Sequence, residues 1–151
     1  MPYEIVTIPC LADNYAFLIG NLETREAAIV DVPEGAPINA EVAKRGWTLT
    51  TVLLTHHHWD HVDGLGDLDG FANLRVVGAK ADSHRLPPLA HALEEGDVIE
   101  VLGTQTHIID VSGHTIGHIA FHIPELSAVF TADSLMALGC GRLFEGSPDM
   151  M

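Results

Sequence analysis

Residues 55–61, with the sequence THHHWDH, bring together side chains that bind transition metals. Three imidazoles and one carboxylate, those of His56, His58, Asp60 and His61, follow an apolar run that is typical of a buried strand. Imidazole and carboxylate groups together accept zinc, iron or manganese. His56 and His58 are two residues apart, so an extended backbone directs both side chains to the same side. The segment therefore predicts a metal site at the end of a strand.

Two further candidate ligands lie later in the chain, each after a strand-like run. His114 is in the sequence SGHTIGH and Asp133 is in VFTADS. One cation would be crowded by all these ligands plus water, whereas two neighbouring cations can share them, with a carboxylate between them. The sequence therefore predicts a binuclear centre if these strand ends meet at one sheet edge. Its first metal ion has imidazole ligands, those of His56, His58 and His114. Its second site begins with Asp60 and His61, with Asp133 between the two ions.

The composition excludes several classes of function. The 151 residues suit one compact domain, and the two distant cysteines, Cys10 and Cys140, make neither a disulfide framework nor a CxxC pair. Seven Lys and Arg against 21 Asp and Glu give a net charge of −14, which disfavours nucleic acid and anionic lipid as partners. No basic leader and no apolar stretch of about 20 residues occurs, so we expect a cytoplasmic protein without a membrane segment.

The elements that must position these residues are mostly strands. The opening predicts three strands, in PYEIVTIP, NYAFLIG and EAAIVDV, and APINAEVAKRG predicts a helix that ends at Gly46. TLTTVLLT predicts a buried strand that ends at Thr55, and RVVGA predicts a short one. After a polar stretch with one helical turn around residues 89–93, four more strands are expected in VIEVL, THIIDV, IGHIAFHI and LSAVFTAD. Ser147 and Pro148 predict the start of a helix.

Other potential ligands are expected outside the metal site. An extended backbone places His57 on the side opposite its neighbours, and His118 and His122 are expected in the core or beside the ligands. The side chain of Cys140 is expected to pack near the site. The surface histidines are expected to be His84, His91 and His107.

Taken together, THHHWDH, GHTIGH and TADS resemble the metallo-β-lactamase superfamily, and GCGRLFEG at residues 139–146 resembles its glyoxalase II, or hydroxyacylglutathione hydrolase, branch. The opening, IPCLADNYAFLI followed by IVDVPEG, is similar to the start of that family and ends a strand at Asp31. The resemblance covers the whole chain. It implies an α/β fold, a metallo-β-lactamase-type αββα sandwich, with the metal ions at the edge of two packed sheets.

The same resemblance implies a ligand assignment that agrees with the one from spacing. It also implies features beyond residues 1–151, because the family's pattern continues with a final His ligand and a C-terminal helical substrate domain. Neither has a counterpart in the sequence. We therefore expect an incomplete metallo-β-lactamase-like domain, either lacking a C-terminal portion or self-associating through open strand edges.

The function that the resemblance implies is hydrolysis of S-(2-hydroxyacyl)glutathione thioesters, such as S-lactoylglutathione. The expected nucleophile is a hydroxide that bridges two divalent metal ions, with zinc expected and iron or manganese as alternatives. Asp60 is expected to orient that hydroxide while it binds the second ion. Arg142 is expected to bind a glutathione carboxylate, since a guanidinium binds carboxylates in a bidentate fork. Phe144 is expected to pack against the substrate.

Two other functions stay open. A persulfide dioxygenase of the same superfamily shares a GCGR element but uses a single iron ion, and the LFEG that follows Arg142 favours the thioester hydrolase. The second alternative is a non-catalytic metal-binding fragment that lacks its C-terminal part.

Overall fold

The computed structural model describes residues 2–151, whose strands form two sheets. The first sheet has six strands in the order of the chain: β1 (Tyr3–Cys10), β2 (Asn14–Asn21), β3 (Glu26–Val30), β4 (Thr48–Leu53), β5 (Arg75–Ala79) and β6 (His91–Leu93). The second sheet is built from β7 (Val98–Val101), β8 (Thr104–Asp110), β9 (Ile119–Ile123) and β10 (Ala128–Phe130), in the order β10-β9-β8-β7. The α-helices of the described residues are α1 (Gly35–Arg45) and the short α2 (Trp59–Val62).

The direction of the strands decides where the loops meet. The pairs from β3 to β6 are parallel, whereas β1, β2 and β3 pair antiparallel, as do all strands of the second sheet. Neighbouring parallel strands end at the same edge of a sheet. The residues that follow β3 and β4 are therefore neighbours in space, although helix α1 separates them along the chain.

Two apolar layers hold the sheets in place. One lies between the first sheet and α1 and includes Ile29, Ile38 and Val52, and the other lies between the two sheets and includes Val30 and Phe121. Successive residues of β3 thus point into different layers. Because both faces of β3, β5 and the end of β4 are covered, the buried parts of these strands have apolar residues in succession instead of alternation.

Most predicted elements are confirmed, including the α/β architecture with two packed sheets. Helix α1 ends at Gly46, whose φ of 66° is the left-handed conformation that favours glycine. None of the helices in residues 2–151 has the length and apolar character that crossing a bilayer requires.

Three details of the prediction were wrong. The expected helical turn at residues 89–93 contains strand β6, which pairs with β5. Strand β4 ends at Leu53 instead of Thr55, because the Thr55 amide turns to the side chain of Asp31. Ser147 forms no side-chain cap, and only a 3-10 turn, Pro148–Met150, follows it.

Candidate metal centre

The candidate metal centre lies where loops from both sheets meet. The Ile119 amide at the start of β9 donates to the carbonyl of Thr55, over 2.9 Å, and so joins the loop after β4 to the second sheet. The Val32 amide, just after β3, donates to the carbonyl of His61 over 2.8 Å. These bonds fix the loop that contains THHHWDH against the ends of β3 and β9.

All six predicted ligands come together in two overlapping groups. The first group consists of His56, His58, His114 and Asp133, and the second of Asp60, His61 and Asp133. Within each group, one ligand atom from each residue lies within 4.8 Å of all the others. Asp133 belongs to both, and its Oδ2 is 3.2 Å from Nε2 of His114 and 3.3 Å from Nε2 of His61. Two groups that could each hold a cation therefore share one carboxylate.

Hydrogen bonds at Nδ1 fix the orientation of three of the imidazoles. Nδ1 of His61 donates to Asp31 Oδ2 over 2.8 Å, and Nδ1 of His114 donates to the carbonyl of Arg142 over 2.6 Å. Nδ1 of His56 lies 2.9 Å from the hydroxyl of Thr55, which itself donates to Asp31 and therefore accepts from the imidazole. An imidazole that donates through Nδ1 keeps the lone pair of Nε2 for a metal ion.

His58 presents its other ring nitrogen to the centre. Its Nδ1 lies 3.0 Å from Nε2 of His114, and both residues belong to the first ligand group. The rings of His56, His58 and His114 stand nearly edge to face, with centroids 4.6 to 5.1 Å apart. Three ring nitrogens therefore converge from three directions on the same small volume.

Two ring nitrogens of the predicted ligands are buried and have no hydrogen-bond partner among the described residues. Nε2 of His56 and Nε2 of His61 are buried without a hydrogen-bond partner, although both face Asp133 Oδ2, across 3.6 and 3.3 Å. A buried polar atom that has no partner costs about 1–3 kcal/mol. Divalent cations bound by these imidazole and carboxylate groups would satisfy both atoms, so the residues present fit zinc, iron or manganese.

Burial and neighbouring charges separate the pKa values of the ligands. Burial lowers the pKa of His56, and the adjacent His61 lowers it further. Burial also lowers the pKa of His61, but the carboxylates of Asp31 and Asp133 outweigh this effect and raise it to about 10. Burial raises the pKa of Asp133, but the neighbouring His61 outweighs it and holds the pKa below its ordinary value. The centre therefore favours positive charge beside Asp31 and Asp133.

Asp31 organises the centre without being needed as a ligand. Its ligand atom also lies within 4.8 Å of those of His56 and His61, but its carboxylate is already occupied. The carboxylate accepts from the amide and the hydroxyl of Thr55, over 2.8 and 2.7 Å, as well as from His61. Sequence reasoning had placed Asp31 at a strand end without a role. A signal was available in the predicted strand–helix–strand order, because strands joined through a helix usually pair in parallel and end at the same sheet edge. The structure has this pairing between β3 and β4, which places Asp31 beside the loop after β4.

Asn14 holds Asp60 from the outside of the centre. Its Nδ2 donates to the Asp60 carbonyl over 2.7 Å and to Asp60 Oδ2 over 3.3 Å. Asp60 Oδ2 lies 3.7 Å from Nε2 of His61, which places it in the second ligand group. Asn14 is a positioning residue that the sequence analysis did not identify.

The predicted substrate contacts lie on a stretch named here the outer segment, residues 139–146. Its Phe144 ring stands edge-on to His58 and His114, with centroids 5.3 and 5.4 Å away, and the Arg142 guanidinium lies 5.6 Å from the Phe144 ring centre. A cleft of about 400 Å³ opens beside them, lined by His58, Trp59, Asp60, His114, Asp133 and Phe144. The cleft gives a small molecule access to both ligand groups.

The other expectations near the centre have mixed outcomes. The buried ring of His118 stacks on His56, with centroids 4.4 Å apart and planes 13° from parallel, as expected for a group beside a ligand. His57 is absent from both ligand groups, and its Nδ1 lies 3.6 Å from Asp82 Oδ2. Cys140, which was expected to pack near the site, is exposed.

Comparison with known proteins agrees with the sequence resemblance. Residues 13–149 match the family model described as the metallo-beta-lactamase superfamily. A hydroxyacylglutathione hydrolase of Ruegeria pomeroyi is 62% identical over 151 residues, which are 100% of this chain and 59% of that protein. The chain therefore spans about 59% of the length of this relative.

Two solved structures have the same fold. The BLEG-1 B3 metallo-beta-lactamase superposes with a TM-score of 0.87 at 19% identity, over 97% of this chain and 81% of that chain. The protein TTHA1623, solved in a di-iron-bound form, superposes with a TM-score of 0.75 at 25% identity and the same coverage, 97% and 81%. On the match of the family model, the chain belongs to the metallo-beta-lactamase superfamily.

Proposed function

We propose that residues 1–151 form a metallo-β-lactamase-like domain that carries the metal centre of a thioester hydrolase. The proposed substrate is an S-(2-hydroxyacyl)glutathione, such as S-lactoylglutathione. The observation that carries the proposal is the pair of overlapping ligand groups that share Asp133. The name of the relative that is 62% identical supports the choice of substrate class, and the di-iron form of TTHA1623 supports two metal ions.

The proposed ligands of each metal ion follow the two ligand groups of the structure. His56, His58 and His114 would hold one divalent ion, Asp60 and His61 the other, and Asp133 both. Such ions supply a Lewis acid and allow water to ionise near neutral pH. Zinc is the proposed metal, with iron and manganese as alternatives of the same ligand chemistry.

The chain's own residues would then orient the reactants. The side chain of Asp60 is about one third exposed and lines the cleft, so its carboxylate can accept a proton from the attacking water and fix its direction. Asn14 holds that carboxylate from behind. The thioester reaction releases a thiolate, which leaves without protonation, so no side chain is required as a general acid.

Arg142 and Phe144 are the proposed contacts of the glutathione moiety. Both are exposed at the edge of the cleft, and a guanidinium suits the carboxylates of glutathione. The chain has only seven Lys and Arg, so a cation at this edge is a specific feature of an acidic protein. Phe144 offers an apolar face and no hydroxyl.

Metal analysis followed by hydrolysis of S-lactoylglutathione tests the proposal. We expect two metal ions per chain and turnover. Asp60→Asn is expected to lower turnover by about 100-fold or more. Turnover is measured with the metal in excess, because the substitution also replaces a proposed ligand of the second ion. Asp63→Asn is the matched control, because Asp63 is exposed, close in sequence and outside both ligand groups.

Other outcomes would favour the alternatives. A single iron ion with oxygen uptake from glutathione persulfide would favour the dioxygenase. Bound metal without turnover in either assay would favour a non-catalytic metal-binding chain. Measuring the mass in solution and the stability with a chelator tests self-association and the coupling of folding to metal binding. The cytoplasmic location stays a prediction.

A further inference from the structure

The outer segment contains no helix and only one bridge residue, so its position depends on bonds to its neighbours. The Gly141 amide donates to the carbonyl of Asp133 over 2.7 Å, and the Gly146 amide donates to the carbonyl of Gly113 over 3.0 Å. These bonds attach the segment to the ligand loops of the second sheet. They do not involve the side chain of Glu145, the charged residue near the end of the segment.

Glu145 provides a further attachment. Its two carboxylate oxygens accept from Nη1 and Nη2 of Arg85, over 2.6 and 2.8 Å, in a bidentate pair. Glu145 Oε1 also accepts from the Ile116 amide, over 3.0 Å, in the loop that contains His114. The Arg85 guanidinium holds the pKa of Glu145 at about 2, well below its ordinary value. One carboxylate thus joins the outer segment to two other loops.

Arg85 is itself anchored on a buried carboxylate. Its Nε donates over 2.8 Å to Oδ1 of Asp82, which is only 2% exposed. The other oxygen of Asp82 lies 3.6 Å from His57, the residue between two proposed ligands. Gly117 leaves room for this carboxylate, because a Cβ at that position would collide with it. The network therefore reaches from the ligand loop after β4 to the outer segment.

The geometry requires arginine at position 85. The guanidinium uses Nε for one carboxylate and its two terminal nitrogens for another, so that a rigid planar group spaces the two acids. A lysine ammonium has no such fork. Exposed ion pairs contribute little to stability, so the stronger consequence of this arrangement is the placement of the outer segment.

We propose that Arg85 and Glu145 are positioning residues that hold the outer segment, and with it Arg142 and Phe144, beside the cleft. In this way they set the affinity for the glutathione moiety while the metal ligands keep their positions. For its substrate, the inference rests on the proposed thioester hydrolase function.

The test compares Arg85→Lys and Glu145→Gln with a matched pair elsewhere. Arg45 and Glu4 form a similar ion pair between α1 and β1, so Arg45→Lys and Glu4→Gln are the controls. In the metal-loaded chain of residues 1–151, we expect amide hydrogen exchange in residues 139–146 to become about tenfold faster in the two test variants only. Metal content is expected to stay at two ions per chain.

Kinetics separate positioning from general loss of structure. For S-lactoylglutathione, we expect KM to rise about tenfold in the test variants with kcat within about twofold. For a lactoyl thioester of N-acetylcysteamine, which lacks the glutathione carboxylates, KM is expected to stay unchanged. In the control variants, KM and kcat for both substrates are expected to stay unchanged.

Three results would overturn the inference: unchanged exchange in residues 139–146, loss of metal, or an equal rise of KM for both thioesters. Failure of the proposed function is distinct, because the unmodified chain with two metal ions would then hydrolyse neither thioester. Hydrogen exchange and metal content alone would in that case decide whether Arg85 and Glu145 position the outer segment.

Discussion

The predicted ligands that follow strands of the first sheet and those that follow strands of the second sheet are fixed by different kinds of contact. The loop after β4 is fixed from inside the protein, where the buried Asp31 carboxylate binds Thr55 and His61. The loops that contain His114 and Asp133 are fixed from outside, by main-chain groups of the outer segment. One half of the centre thus depends on a buried charge, and the other depends on the close approach of two backbones.

This difference predicts different costs of disruption. A buried carboxylate with three donors cannot be weakened without leaving buried polar groups unpaired, so damage there affects folding and metal binding together. At its Gly141 end the outer segment contacts the loops that contain Asp133 and His114, so damage at that end should alter the geometry of the centre. The loss of stability should be smaller, because the segment is exposed along much of its length. Variants on the two sides test the comparison.

Asp31→Asn is expected to have the largest effect. An amide has one acceptor oxygen where the carboxylate has two, so it cannot accept all three hydrogen bonds from Thr55 and His61. We expect the free energy of unfolding to fall by about 3 kcal/mol. The metal content should fall below two ions per chain, because His61 loses the bond that fixes its ring. Urea unfolding and metal analysis measure the two effects. Asp69→Asn, at an exposed position, is the control, and equal stability of the two variants would contradict the prediction.

Gly141→Ala tests the outer side of the centre and is expected to have the next largest effect. A Cβ on Gly141 would lie 2.7 Å from both the carbonyl of Asp133 and Nδ1 of His114, so the segment must move away. We expect a loss of about 1–2 kcal/mol and weaker binding of the first metal ion. Gly139→Ala is a control in the same segment, because nothing lies within 4 Å of its Cβ. Titration with metal and thermal unfolding distinguish the two variants, and similar behaviour would contradict the close-approach argument.

Asn14→Ala is expected to have a smaller effect, limited to the second ligand group. It removes the bonds to Asp60 and is expected to cost about 1 kcal/mol. We expect about tenfold weaker affinity for the second metal ion, with the first unaffected. Asn73→Ala, in an exposed turn, is the control. An equal loss of affinity for both metal ions would show that Asn14 stabilises the fold as a whole instead of positioning Asp60.

The sequence allowed the ligands to be predicted better than the groups that hold them. Ligand types and spacing are local, so His56, His58 and His61 could be recognised from one loop. Strands β1 to β5 were predictable for a similar reason, since apolar runs between turn residues leave few alternatives. The partners of the ligands are distant in the chain: Asp31 and His61 are 30 residues apart, and Asn14 and Asp60 are 46 apart.

The wrong prediction at residues 89–93 has the same origin. Strand β6 has three residues, next to Pro87 and Pro88, and its own sequence does not favour a strand. It forms because it pairs with Val77 to Ala79 of β5, and paired residues are 14 apart in the sequence. Long-range pairing of this kind overrides local propensity and leaves no local signal.

Cys140→Ser is expected to have the smallest effect, although it changes the residue next to Gly141. A thiol is a strong ligand for zinc, but Cys140 is exposed and belongs to neither ligand group. We therefore expect two bound metal ions and a stability within about 0.5 kcal/mol of the unmodified chain. Loss of a metal ion in this variant would mean that the thiol reaches the centre. If Cys140→Ser leaves stability and metal binding unchanged while Gly141→Ala lowers both, the outer segment supports the centre through its backbone. The added Cβ at Gly141 would then disturb the centre, whereas the loss of a potential thiol ligand would not.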